Sequence, residues 1–250
     1  MVVGCKKSGK SSFLDTLVGK TITKNENILD INIYKLNLDC DDKSYKKVTL
    51  IDTPGFDTEN DIEIQEVIID FIKAQYNCAL EEESKIRRDV NFEDPKVHCL
   101  VYLIPSTSDG LKQKEIMFLK KVSKLVNIIP VISKADGLTS NETLRLKKYI
   151  LDQLYYHKIE IFNLDTPDSV NQSDLELNVN SDLPLTFVSD LFKEKLSTNF
   201  TKGQDFNFQS EFQVLKDILL NIHIETLIET TNTTLYENYR TEMLENKLKK

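Results

Sequence analysis

Within its first eleven residues the chain places Gly4, Gly9, Lys10 and Ser11 at the spacing G-x4-G-K-S. This is the pattern of a loop that wraps phosphate oxygens with its own backbone N–H groups. Glycine is needed where the backbone comes closest to the anion, which assigns Gly4 and Gly9. The Lys10 ammonium reaches the β- and γ-phosphates, and the Ser11 hydroxyl ligates Mg²⁺. Cys5, Lys6, Lys7 and Ser8, with Ser12 behind Ser11, complete the cradle. An apolar MVV precedes the loop, and SSFLDTLVG follows with Phe13, Leu14, Leu17 and Val18 on one helical face and Gly19 at its end. A helix N-terminus aimed at the phosphates adds a favourable partial charge. Only seven glycines occur in the chain, so a chance match is rare.

Two further motifs follow in the order such chemistry needs. Residues 48–56 read VTLIDTPGF, an apolar strand running into the D-x-x-G pattern of Asp52 and Gly55. Asp52 holds Mg²⁺ through water, and Gly55 offers its N–H to a γ-phosphate. Residues 133–136 read SKAD at the end of the apolar strand 128–132. A carboxylate at Asp136 accepts both N1–H and the exocyclic amine of guanine. Adenine presents no such pair on that edge and would leave a buried acceptor unmatched. The Lys134 stem lies over the base. The ligand set expected is therefore GTP or GDP with Mg²⁺, the metal held by Ser11 and Asp52.

The elements between the motifs alternate. Strands are expected at 28–38, 47–51, 97–104, 128–132, 159–162 and 183–188, with helices at 62–76, 112–125 and 142–156. The run VHCLVYLI is apolar throughout, as in a parallel strand buried on both faces. This is an α/β chain: a doubly wound, mainly parallel sheet of the P-loop GTPase type with a C-terminal helical extension. Residues 164–182 are acidic and rich in Asn and Ser, and read as a surface loop. Residues 211–249 read as a helix with Phe212, Leu215, Leu219, Ile222 and Leu227 on one face.

Composition removes other classes. The net charge of −8 over 250 residues argues against nucleic acid and gives no general attraction to anionic membrane. No apolar run approaches the ~20 residues of a membrane span, and no signal peptide precedes the loop. Cys5, Cys40, Cys78 and Cys99 lack metal or redox spacing, as expected of free thiols in a reducing cytosol. His98, His157 and His223 are scattered and receive no catalytic role.

With the three motifs in place, the stretches between them resemble the septins. The resemblance rests on QYNCALEEESKIRRD, VHCLVYLI, DGLK, LVNIIPVISKADGLT and the ending SEFQVLKDILLNIHIETLIETTNTTLYENYR. It covers residues 2–240 and implies a GTPase core at 1–188, a degenerate septin-unique element at 189–209 and a C-terminal helix at 210–250. It also implies hetero-oligomers with other septin subunits, filaments, and a role in cytokinesis or a related membrane-shaping event. Peripheral membrane association would come through the assembly, and the location would be cytoplasmic and cytoskeletal. Within the family the wording is similar to a divergent fungal subunit of the filament-end type, with sporulation as an implied specialisation.

Several positions depart from the family. The chain starts three residues before Gly4, so an interface and a lipid-binding device are expected to be missing. No Trp occurs, and STNFTKGQDFNF stands where a Trp-Gly element is usual. The Gly-Ser-Asn near the base reads Val188-Ser189-Asp190, and a family histidine reads Asp109. The segment 19–27 offers only Thr21 and Thr23 as switch threonines. Three functional classes remain: a nucleotide-binding structural subunit, a GTP-hydrolysing switch enzyme, and a pseudo-GTPase scaffold. Hydrolysis needs a residue that orients water, and Phe56 rather than Gln follows Gly55, which favours the structural class. Intact Lys10, Ser11, Asp52 and Asp136 oppose the scaffold.

Overall fold

The computed structural model describes residues 1–23, 30–39, 45–56, 61–164, 183–188 and 208–248. Residues 40–44 between two expected strands, most of the acidic loop and 189–207 of the degenerate element lie outside them. In chain order the elements are β1 (Val2–Gly4), α1 (Lys10–Val18), β2 (Asn32–Asp39), β3 (Tyr45–Asp52), α2 (Asp61–Glu83), β4 (Cys99–Pro105), α3 (Gln113–Val122), β5 (Asn127–Ser133), α4 (Ser140–Tyr156) and β6 (Leu185–Phe187). The tail adds α5 (Phe208–Asp217), α6 (Ile224–Thr230) and α7 (Tyr236–Leu248).

The sheet has six strands in the order β2-β3-β1-β4-β5-β6. All pairs are parallel except the β2–β3 hairpin, whose register runs from Asn32↔Asp52 to Asp39↔Tyr45. β1 is the pivot: the next strands lie on one side of it and the later ones on the other. Such a reversal opens a crevice at the carboxyl ends of the strands. β1, β4 and β5 are apolar on both faces because both are covered, whereas the β2–β3 hairpin exposes Lys35, Asn37, Lys47 and Thr49. Val2, Val101, Leu103 and Val131 pack with α1, α5 and α6, while Val3, Tyr102, Ile104 and Ile132 pack with α2, α3 and α7.

The expected strand at 159–162 does not form. Phe162 N–H makes a single bond to Ile128 O, at 2.9 Å. That edge of β5 is taken further along by β6, through Val131↔Leu185, Ile132↔Thr186 and Ser133↔Phe187. Ile159 and Phe162 are nonetheless buried, in the two opposite core layers.

The tail is also not one continuous helix. π-helical turns at Ile218–Ile222 and Thr231–Leu235 separate its segments. Each widened turn shifts the apolar stripe. Leu215, Ile218 and Leu227 are buried as a result, whereas the expected core residue Ile222 is 47% exposed. Asn127 at the start of β5 holds the tail by donating to Leu227 O at 3.1 Å and Thr231 Oγ1 at 3.0 Å. Tyr236 and Tyr239 close the other end against Tyr76 of α2.

His223 sits at the junction of the first π turn and α6. It is buried, edge-on to Phe162, and its Nδ1 has no hydrogen-bond partner among the described residues. Burial holds its pKa below the ordinary value. The unfolded chain therefore takes up the proton first, so this stability is full above about pH 6.5 and is lost as pH falls toward the folded pKa. The gap in urea unfolding free energy between the native chain and His223→Gln should narrow between pH 7.5 and 5.5. A constant gap would contradict a buried neutral imidazole.

Candidate functional site

β1 runs directly into the loop 5–9, and α1 starts at Lys10. The two motif glycines are needed for different reasons. Gly9 is the N-cap of α1 at φ 95°, a left-handed conformation that costs glycine little. A Cβ on Gly4 would lie 2.6 Å from the Leu103 carbonyl oxygen. The approach of β4 thus requires glycine at position 4 in its own right, a constraint the spacing did not show. Lys7 also has positive φ, at 64°.

Lys10 and Asp52 are brought together in the buried end of the sheet. Lys10 Nζ donates to Gly4 O at 3.2 Å and Cys5 O at 3.0 Å. Ser11 Oγ donates to Asp52 Oδ2 at 2.8 Å. Burial pushes the Asp52 carboxyl up, against the Ser11 hydrogen bond and the Lys10 charge. Burial likewise pushes Lys10 down, against the Asp52 charge. Asp52 Oδ1 and Ser8 Oγ are buried without hydrogen-bond partners among the described residues. An orphaned buried acceptor costs about 1–3 kcal/mol. A hard, oxygen-seeking cation bound to a phosphate group fits this set: a carboxylate oxygen in need of a partner beside a hydroxyl.

The D-x-x-G segment is fastened to the loop. Phe56 N–H donates to Gly4 O at 3.2 Å, and Lys6 N–H donates to Phe56 O at 2.7 Å. A Cβ on Gly55 would lie 2.6 Å from Lys6 Cα and 2.7 Å from Lys10 Nζ. Thr53 Oγ1 donates to Val2 O at 2.8 Å. The Phe56 ring is buried edge-on to Phe118, with centroids 5.3 Å apart. The position after Gly55 therefore faces the core and carries no polar atom that could orient water.

At the other end of the crevice, Ser133 is buried, while Lys134 and Asp136 are exposed on the turn between β5 and α4. Lys134 has φ 57°, and its carbonyl accepts the Ser106 hydroxyl at 2.6 Å. Lys6, Lys7 and Ser12 lie on the loop and the first turn of α1 as the motif requires. Of the two threonine candidates, Thr21 is exposed. Thr23 is tied back to α1: its N–H and hydroxyl donate to Asp15 at 3.0 and 2.9 Å.

Sequence reasoning missed Ser106, Asp15 and Glu115. Glu115 is buried in the first turn of α3, accepts Lys112 N–H at 2.8 Å, and accepts the Cys5 thiol at 3.0 Å. Burial, helped by Glu115, pushes Cys5 up to about 12, so the loop cysteine stays a neutral thiol. No local pattern announces the Cys5–Glu115 contact, made across 110 residues. A cavity of about 370 Å³ opens at the opposite end of the sheet, bordered by Met1, Cys99, Leu50 and Leu227, and includes none of the motif residues.

A family model described as Septin matches residues 1–250. The chain is 44% identical to the cell division control protein 11 of Encephalitozoon cuniculi (strain GB-M1), over all of this chain and 96% of that protein. The crystal structure of Cdc11 from Saccharomyces cerevisiae superposes with a TM-score of 0.66 at 29% identity, covering 97% of each chain. A septin GTPase domain from Chlamydomonas reinhardtii superposes with a TM-score of 0.74 at 18% identity and 96% coverage of each, a likeness of fold.

Gly55→Ala tests the fastening of the two loops. The added methyl must displace backbone rather than a flexible side-chain end. Nucleotide affinity, read by titration with a fluorescent guanine nucleotide, should fall by about tenfold or more, equivalent to ~1.4 kcal/mol. Unchanged affinity would mean that this contact does not shape the cradle.

Proposed function

The chain belongs to the septin family, and from that premise we propose that it is a guanine-nucleotide-binding subunit of septin hetero-oligomers and filaments serving cell division. The observation that carries the nucleotide reading is the buried Lys10–Asp52–Ser11 cluster at the pivot of the sheet, with Asp136 open at the same edge. In this reading Gly4, Cys5, Lys6, Lys7, Ser8, Gly9 and Ser12 form the loop and first helical turn that surround the phosphates, with the Lys6 N–H already given to Phe56 O. Lys10 neutralises phosphate charge, and Gly55 offers its N–H to the terminal phosphate. Lys134 covers the base and Asp136 selects guanine. Ser11 and Asp52 would hold Mg²⁺, which when bound would offset charge on the β- and γ-phosphates.

Binding rather than turnover is favoured by two features. Phe56 fills the position from which a side chain would orient water, and it is locked in the core. Thr23 is already committed to Asp15. The nucleotide then acts mainly as part of the fold and of an interface with another subunit. Asp109 supports a heteromeric partner. It is exposed in the loop after β4, at the same sheet end as the cradle. Two such carboxylates facing one another's triphosphates at ~5 Å would repel by about 3 kcal/mol at an effective dielectric near 20. A different subunit carrying a cation there would not. A cytoplasmic, cytoskeletal location and membrane contact through the assembly belong to the same reading.

Asp136→Asn tests it. The carboxylate accepts two guanine donors and the amide accepts one well, so the preference for GTP over ATP should drop by about 10²-fold or more. Competition titrations of both nucleotides against native and variant chains measure this. Equal affinity of the native chain for GTP and ATP would overturn the reading.

A further inference from the structure

Outside the cradle, one charged cluster is buried where no nucleotide motif requires it. Glu211, in the first turn of α5, accepts Lys147 Nζ on both oxygens, at 3.0 and 2.9 Å. Its Oε2 also accepts the Thr186 N–H and hydroxyl, each at 2.7 Å. Thr186 is fully buried, Lys147 is buried, and the Glu211 side chain is 14% exposed. One carboxylate therefore grips three elements: α5, α4 through Lys147, and the edge strand β6 through Thr186.

The two elements it grips flank the turn that carries Lys134 and Asp136. Thr186 is the ladder partner of Ile132, just before Ser133 ends β5. α4, which carries Lys147, begins at Ser140, directly after the turn. β6 is three residues long and pairs with one neighbour, so its outer N–H groups need a partner from outside the sheet. Glu211 supplies it at Thr186. The next residue, Phe212, packs edge-on to Phe13 of α1 at 6.0 Å and against Phe187 of β6 at 5.3 Å. Phe13 is two residues past Ser11. The first turn of α5 thus touches the framework of both the base turn and the phosphate loop, without belonging to either.

A buried ion pair is a poor way to gain stability, since apolar side chains of similar volume often do better. Its use here is geometric. We propose that Glu211 is a positioning residue that couples docking of α5 to guanine recognition by the Asp136 turn. The inference rests on the guanine reading above. Because such coupling is reciprocal, bound nucleotide should in turn hold α5 in place.

The test compares GTP with ITP, which lacks the exocyclic amine that Asp136 accepts, on the native full chain and on Glu211→Gln. The native chain should prefer GTP. In the variant, GTP affinity should fall about tenfold and the GTP/ITP ratio should move toward one, because the amide carries no charge for Lys147 and its NH2 end sets a donor against the Lys147 ammonium where Oε1 accepted it. A native chain that does not distinguish GTP from ITP overturns the guanine reading itself. A selective native chain with an equally selective variant overturns the coupling alone, leaving Glu211 a structural residue. Hydrogen exchange on the native chain needs no variant: amides in 211–217 should exchange several-fold more slowly with GTP bound. Nucleotide-independent exchange there also overturns the coupling.

Discussion

The nucleotide end of this molecule depends on keeping Lys10 and Asp52 buried next to each other. The sheet around them is apolar on both faces, so neither charge can rely on water. Each is costly to bury. Their mutual attraction, the Ser11 hydroxyl and the carbonyls of Gly4 and Cys5 offset part of that cost. The remainder is left standing as an orphaned Asp52 Oδ1. In the proposed reading, a phosphate chain carrying a divalent cation would supply each group with what it lacks.

The rest of the architecture keeps that pair in register. β1 is fixed between β3 and β4, with Val2 opposite both Asp52 and Val101. Gly4 lets β4 approach, and Gly55 lets the short loop 53–56 lie against Lys6 and Lys10. Phe56 then anchors that loop in the core. An anchored loop suits a subunit whose nucleotide stabilises an interface better than one whose loop must reorganise to hydrolyse it. Phe56 thus links a packing fact to a functional class.

Much of this was legible in sequence, because phosphate cradles impose local spacing. The structure places residues 4–12 on a strand-to-helix loop and 52–55 and 134–136 at the carboxyl ends of β3 and β5, and the alternation of apolar runs locates most strands and helices. What was not legible is nonlocal or geometric. The 159–162 segment has a strand's composition but forms no strand, while β6 takes that edge of β5 further along. Ile222 keeps helical spacing, yet a π turn rotates it out. Thr23 has the right type for a switch residue and is claimed by Asp15. Glu211 meets Lys147 and Thr186 only after the chain has folded over 64 and 25 residues. No periodicity encodes such meetings.

On the proposed reading, the buried Lys10 and Asp52 help to hold a guanine nucleotide. The most direct measurement is the nucleotide content of the full chain purified natively with Mg²⁺, extracted and separated by chromatography, beside Lys10→Ala treated identically. The account predicts stoichiometric guanine nucleotide, without adenine nucleotide, in the native chain and its loss in the variant. A native chain that emerges nucleotide-free, or that carries adenine as readily as guanine, would contradict it.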